Sequence, residues 1–286
     1  MSAALEHEPV SPDEYCQQKA AASGSSFYYS FLFLPAERRR AITALYAFCR
    51  EVDDVVDEGA DPQVAAAKLA WWRLELGRLF AENPQHPVTK ALRPFLAKYS
   101  LSQARLDEII DGMEMDLRQS RYLDWPALEA YCYKVAGVVG LLAAGIFGYR
   151  DRRTLEYARK LGIAFQLTNI IRDVGEDARK NRIYLPMDDL KRFGVPAAEI
   201  LQGKETPAFR ELMRFEAERA RGCYAEAMAA LAPADRRAQR PGLVMAAIYR
   251  ALLEEIERDG FRVLVQRTSL TPLRKFWIAW RTWISA

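Results

Sequence analysis

Apolar residues in this chain recur every three or four positions over long stretches and almost nowhere alternate. After Pro35 the run Ile42, Leu45, Phe48, Cys49, Val52 and Val56 keeps that spacing. Such spacing gathers side chains onto one stripe of an α-helix, because about 3.6 residues complete a turn. The period predicts further helices over about Pro62 to Phe80, Pro87 to Tyr99, Gln103 to Gln119, Trp125 to Gly148, Arg152 to Asp177, Ala208 to Ala232 and Gly242 to Thr268. No repeat of fixed period is present, so a compact all-α bundle is expected rather than a solenoid. At 286 residues the chain is long for one domain, yet helical proteins built around one large cavity reach this size undivided. A single domain over 1–286 is the expectation. Ser11-Pro12-Asp13-Glu14 reads as a capping box that opens the first helix, with residues 1–10 flexible ahead of it.

Composition removes several classes of function. The 41 basic and 38 acidic residues are interspersed, so no charged arm marks a nucleic-acid partner. His7 and His86 are the only histidines, which excludes histidine triads and histidine-rich metal centres. Cys16, Cys49, Cys132 and Cys223 lie far apart with no C-x-x-C pair, which points to a reducing compartment. The start MSAALEHEPV has no apolar core of an export signal, so a cytoplasmic protein is expected. Val135 to Tyr149 is nearly apolar but shorter than the roughly 20 residues that span a bilayer, and reads as a buried helix. The charged, proline- and glycine-rich stretch from Arg179 to Pro207 reads as a lid or connecting loop.

Two polar stripes carry the chemistry. At 100° per residue, Tyr46, Arg50, Asp53 and Asp57 fall within about 60° of one another, with Asp54 off the centre. Gln166, Asn169, Asp173 and Asp177 fall within about 80°, one turn after Gly162. The first stripe reads equally as a wetted surface with an Arg50/Asp53 pair at i,i+3. The second continues the apolar run LGIAFQLTNII, where polar groups need a site, water or one another. Oxygen-only sets on two helices suit magnesium, with manganese able to substitute, because this hard cation binds through few carboxylates plus substrate phosphate. Charge on a departing diphosphate would be stabilised there, so ionisation of an allylic carbon–oxygen bond is the natural reaction class. The chain's 13 Phe, 13 Tyr and 6 Trp offer a dry, aromatic pocket for a cation. Arg50, Arg172, Arg179, Lys180 and Arg182 lie beside the acidic positions and could grip the diphosphate. Arg172 sits about 100° from Asp173 around the helix and could instead face a neighbour or solvent.

With these residues in view, YAFCREVDDVVDE at 46–58 and QLTNIIRDVGEDARKNRIYLP at 166–186 resemble the two signature regions of the squalene and phytoene synthase family. SSFYYSFLFLP near 25–35, DGMEMDL at 111–117 and YCYKVAGVVG at 131–140 are similar to other family segments. The resemblance implies an isoprenoid synthase fold, a helical bundle around a central substrate cavity. It implies magnesium-diphosphate ligation by Asp53, Asp57, Asn169, Asp173 and Asp177, with Tyr46, Arg50, Gln166, Arg172, Tyr249 and Arg267 lining or supporting the site and Arg182 and Ser26 among the diphosphate contacts. Ser23-Gly24-Ser25-Ser26 replaces a His-Ser-x-Ser-like approach seen in several relatives. QQKAAASGSSFYYSFLFLP is most similar to bacterial presqualene diphosphate synthases of hopanoid biosynthesis. The implied reaction joins two farnesyl diphosphates head to head, closes a cyclopropane and releases pyrophosphate; released pyrophosphate or Tyr249 would take the proton.

Three enzymes compete with that reading: a phytoene synthase using geranylgeranyl diphosphate, a squalene synthase, and a class I terpene cyclase with similar metal geometry. A silent isoprenoid-binding scaffold is a fourth reading. No G-x-G-x-x-G fingerprint occurs, so NADPH is not expected. The tail LRKFWIAWRTWISA at 273–286 places its aromatics at helical spacing with basic residues nearby. It suits either peripheral contact with the inner face of the cytoplasmic membrane or docking on the core.

Overall fold

The computed structural model describes residues 10–22, 27–31, 33–57 and 61–285. Its helices are α1 (Pro12–Ala22), α2 (Phe27–Phe31), α3 (Ala36–Asp57), α4 (Pro62–Phe80), α5 (Pro87–Leu92), α6 (Gln103–Arg118), α7 (Trp125–Cys132), α8 (Val138–Phe147), α9 (Arg153–Arg179), α10 (Met187–Arg192), α11 (Ala197–Leu201), α12 (Pro207–Ala230), α13 (Arg240–Arg258) and α14 (Pro272–Ser285). Proline falls in the first turn of many of them, where its missing N–H has no helical partner to lose. The expected capping box is present: Ser11 N–H donates to Glu14 at 2.9 Å and Glu14 N–H to the Ser11 hydroxyl at 3.3 Å. The flexible reading of residues 1–10 falls on positions that, up to residue 9, lie outside the described residues.

Three elements differ from the sequence reading. The helix expected over Pro87 to Tyr99 ends at Leu92 and tightens into a 3₁₀ turn over Arg93–Phe95, because Pro94 has no N–H to continue the α ladder. The helix expected to run to Thr268 stops at Arg258. Gly260 (φ 73°) and Phe261 (φ 57°) turn the chain through left-handed backbone, and 261–271 becomes a strap lying back on α9. The stretch from Arg179 to Pro207, expected as a lid or connecting loop, is a tied-down connection rather than a lid. It contains α10 and α11 and buries Ile183, Leu185, Leu190 and Ile200. Its Ile183 and Met187 N–H groups donate to the Ser120 and Tyr122 carbonyls at 3.0 and 2.9 Å, and Arg121 and Ile183 form the one parallel bridge among the described residues.

Helix α9 runs through the centre, packed against α7, α8, α11, α12 and α13. Two buried clusters flank it, one built from α3 to α6 and α8, the other from α7, α9, α12 and α13. Close helix approach depends on glycine. A Cβ on Gly140 would sit 2.2 Å from the Ala158 carbonyl oxygen, and one on Gly162 would sit 2.3 Å from that of Ala136. A wider π turn over Tyr133–Gly137 joins α7 to α8. Trp125–Phe147 is thus one helical run of 23 residues, long and apolar enough by length and composition to cross a membrane. Gly137 and Gly140 press against α9, Gly145 against the Tyr99 carbonyl, and the run's apolar side lines an interior cavity, the arrangement of a core helix. The tail helix α14 docks by Ala279 and by Trp283, whose ring lies 5.2 Å from Phe33. Its other side bares Leu273, Phe276, Trp277, Trp280 and Ile284.

Candidate active site

Late α3 presents the first acidic stripe. Arg50 bonds Asp53 and Asp54, each at 2.5 Å, so the i,i+3 pair anticipated from sequence exists within the site. Asp54, off the stripe, is also drawn toward α1 by Lys19 at 2.9 Å. Burial, reinforced by repulsion from Asp57, pushes the Asp53 carboxyl up to about 6 despite Arg50.

Late α9 presents the second stripe. Asp173 accepts from Arg172 at 2.7 and 2.5 Å and from Arg267 at 2.8 Å. Burial works to raise its pKa, but the two guanidinium groups win and hold it below the usual carboxylate range. Arg172, which helical geometry alone would turn aside, reaches Asp173 because its long side chain folds back along the helix surface. Asp177 has no such partner: burial and the charge of Asp173 push it up to about 7. Asn169 donates weakly to Gln166 at 3.4 Å, and its own oxygen is buried with no hydrogen-bond partner.

The two helices bring these stripes face to face. Lys180, just past the end of α9, lies 3.1 Å from Asp57 on α3, and Arg182 lies 3.6 Å from it. Arg267 arrives on the strap. That strap is seated by Gly175, whose N–H donates to the Val263 carbonyl at 3.2 Å and whose absent side chain leaves room for the carbonyls of Val263 and Leu264. Tyr249 on α13 closes the opposite wall; burial raises its phenol above the ordinary value. Ser26 lies outside the described residues.

Asp116 was given no role by periodicity, yet it stands beside both stripes. It accepts hydrogen bonds from Tyr131 and Tyr184, both at 2.8 Å. Burial pushes it up to about 6, and its charge in turn raises Asp53 and Asp177. The nearest signal for it in the sequence is the DGMEMDL segment, which contains it.

Two spaces meet at the site among the described residues. An apolar one runs along α8 and α9, lined by Tyr46, Phe27 and Asn169 beside the acidic stripes and by Tyr157 and Gly242 farther along α9 and α13. A polar cleft open to solvent is edged by Arg50, Arg172, Arg267 and Lys275. Phe27, Tyr46 and Asn169 belong to both, so a cationic mouth leads into a dry barrel.

Among the described residues no three His, Cys, Asp or Glu side chains converge on one point to hold an ion. The donors nevertheless fit magnesium that completes its shell with phosphate and water. Burial and neighbouring carboxylates raise Asp53 and Asp177 against the nearby cations, so both would gain from a further positive charge, and the Asn169 oxygen is buried and unpartnered.

A helical bundle enclosing an apolar cavity with opposed carboxylate helices at its mouth defines an isoprenoid synthase fold in a single chain. The chain belongs to the squalene/phytoene synthase family, whose profile matches residues 20–274. It is 39% identical to a phytoene synthase of Arthrospira platensis over 92% of this chain and 89% of that protein. It is 35% identical to a 15-cis-phytoene synthase of Synechococcus elongatus, with the same coverage. Among solved structures it is similar to a dehydrosqualene synthase bound to a ligand (TM-score 0.85, 29% identity, 95% of each chain). It also resembles the squalene synthase HpnC of Alicyclobacillus acidocaldarius (TM-score 0.78, 30% identity, 87% of this chain and 94% of that one).

These relatives correct the expectation of a presqualene diphosphate synthase for hopanoid biosynthesis. Similarity spread over nine-tenths of the chain points to phytoene synthases, whereas the likeness to presqualene diphosphate synthases lies in nineteen residues near the N-terminus. The acidic stripes could not arbitrate, because they address the diphosphate that all these substrates share. What the family establishes is a prenyltransferase-type enzyme acting on isoprenoid diphosphates.

Proposed function

We propose that this chain is a magnesium-dependent phytoene synthase that joins two geranylgeranyl diphosphates head to head. The observation that carries this reading is the continuity of a cationic, carboxylate-flanked mouth with a long apolar barrel, together with relatives that bear the phytoene synthase name. Magnesium, when bound by Asp53, Asp57, Asn169, Asp173 and Asp177, would neutralise the charge gathering on a departing diphosphate.

The chain's own groups do the rest. Arg50, Arg172, Arg267 and Lys275 hold the diphosphates at the mouth, with Arg182 beside Asp57. Phe27, Tyr46, Phe165 and Tyr249 lie ring against ring where the chambers meet, at centroid distances of 4.9 to 6.4 Å. They exclude water and lend π density to an allylic cation. The 2,3 double bond of the second substrate attacks C1 of that cation, and proton loss closes a cyclopropane. Departure of the second diphosphate opens the ring, and a second proton loss gives a C40 hydrocarbon with a conjugated triene at its centre. Two substrates thus yield one hydrocarbon, two pyrophosphates and two protons, and no reductant is consumed, so NADPH has no part. Burial raises the Tyr249 phenol, which favours released pyrophosphate over it as the proton acceptor.

Purified protein given geranylgeranyl diphosphate and magnesium is expected to release pyrophosphate and form a C40 hydrocarbon. A C30 product from farnesyl diphosphate as the preferred outcome would sink the substrate assignment. The bare aromatic side of α14, with Arg281 beside it, supports peripheral contact of a cytoplasmic enzyme with the inner membrane surface. Deleting residues 273–286 should reduce liposome co-sedimentation, and undiminished binding would remove that part of the proposal.

A further inference from the structure

We infer that Tyr157, braced by Gly242, is the floor on which the far end of the prenyl chain rests and which sets the longest chain the enzyme accepts. The inference builds on the reading of the barrel as a prenyl site.

One face of α9 forms the barrel wall from mouth to base: Asn169, Gln166, Gly162, Ala158 and Tyr157 all line it. Twelve residues separate Asn169 from Tyr157, about 18 Å at the helical rise. A geranylgeranyl chain has fifteen main-chain carbon–carbon bonds, roughly 19 Å in zigzag, and a farnesyl chain eleven, roughly 14 Å, from bonds of about 1.5 Å. The barrel therefore suits the longer chain, and Tyr157 stands where that chain runs out.

The base is sealed. Tyr157 and Gln239 are each 1% exposed. Gln239 spends its amide on the Gly148 and Ala144 carbonyls at 2.8 and 3.3 Å, stitching the start of α13 to the end of α8. The Tyr157 hydroxyl has no hydrogen-bond partner. An orphaned hydroxyl in an apolar cavity costs stability that phenylalanine would not, so stability does not explain the residue. The hydroxyl instead meets α13: a Cβ on Gly242 would lie 2.6 Å from it. Tyrosine and glycine are a matched pair, the one filling the space the other leaves.

Three substitutions move the floor in different directions. Tyr157→Ala removes a ring and hydroxyl reaching roughly 6 Å beyond Cβ, about one isoprene unit. Gly242→Ala presses the tyrosine upward into the barrel. Tyr157→Phe removes only the orphaned oxygen and should relieve Gly242→Ala when the two are combined. The assay compares kcat/KM for C15, C20 and C25 allylic diphosphates, with binding of the unreactive thiolodiphosphates of the same lengths measured in parallel. Tyr157→Ala is expected to raise the C25:C20 ratio about tenfold or more. Gly242→Ala should lower C20:C15, and the Tyr157→Phe/Gly242→Ala pair should return toward wild type. Length ratios unchanged in folded Tyr157→Ala and Gly242→Ala overturn the inference; Gly242→Ala with its double variant decides alone where Tyr157→Ala fails to fold. A wild type that prefers C15 would sink the phytoene reading, yet the shift relative to its own preference would still report on the floor.

Discussion

Replacing Gly175 with alanine tests how the strap builds the site without touching any group that meets substrate. The new methyl would lie 2.5 Å from the carbonyl oxygens of both Val263 and Leu264. Both obstacles are backbone, so the strap must retreat by most of an ångström to reach ordinary contact. Overpacking of this kind costs about 1–3 kcal/mol, offset by up to about 1 kcal/mol from the better helix propensity of alanine. The net of roughly 1–2 kcal/mol corresponds to a fall in Tm of about 2–8 °C for a protein of this size. The Arg267 contact with Asp173 at 2.8 Å sits on the same strap. Arg267 is half exposed, so its pairing adds little to stability. Its displacement by about 1 Å should nevertheless lower kcat/KM roughly 10- to 100-fold. Calorimetry and a pyrophosphate-release assay measure the two effects. Because both substitutions act through one contact, Arg267→Ala should cost much less in the Gly175→Ala background than alone. Wild-type activity in Gly175→Ala, or full additivity with Arg267→Ala, would refute the account of the strap.

Asp173→Ala should abolish turnover, since it leaves Arg172 and Arg267 without the carboxylate they share; the measurement is pyrophosphate release at saturating substrate. Magnesium with pyrophosphate should raise the Tm of the wild type, and less so in Asp177→Asn, because carboxylates raised by burial and like charge gain most from a cation. Away from the site, Glu216 is buried, held by Arg219 at 2.6 Å, and pushed up to about 7 by burial and by Asp189, which shares that arginine. Its folded pKa exceeds its unfolded one, so its contribution to stability is full below the unfolded value and is lost as pH rises through about 7. Glu216→Gln should therefore flatten the decline in Tm between pH 5 and pH 8; an unchanged slope would show that the decline arises elsewhere.

The features legible in sequence were those that a helix writes locally. The stripes Asp53/Asp57 and Asn169/Asp173/Asp177 follow from a 3.6-residue period, and so do the helices that carry them. Features hidden from sequence depend on where distant segments meet. Arg267 is 94 positions from Asp173 and reaches it only because Gly260 and Phe261 reverse the chain and Gly175 makes room. Asp116 matters through two tyrosine hydroxyls contributed by other parts of the chain. The stretch from Arg179 to Pro207 has the composition of a loop, and its buried Ile183, Leu185 and Ile200 give no regular period that would reveal their anchoring. Substrate length, which a short N-terminal likeness does not report, would under the proposed reading depend on the depth of a barrel lined by Tyr157 on α9 and Gly242 on α13, residues 85 positions apart in sequence.

The meeting of a charged mouth and a dry barrel makes occupancy lopsided over a catalytic cycle. Under the proposed chemistry each substrate is captured by its anionic head, and the reaction detaches both heads. What remains is a hydrocarbon with nothing for Arg50, Arg172 or Arg267 to hold, but with an apolar attachment to the barrel that bulk water cannot match. Unloading is then a problem of partition rather than of electrostatics. Product escape should then limit turnover in clean buffer, and offering detergent micelles or lipid vesicles at the exit should raise the steady-state rate.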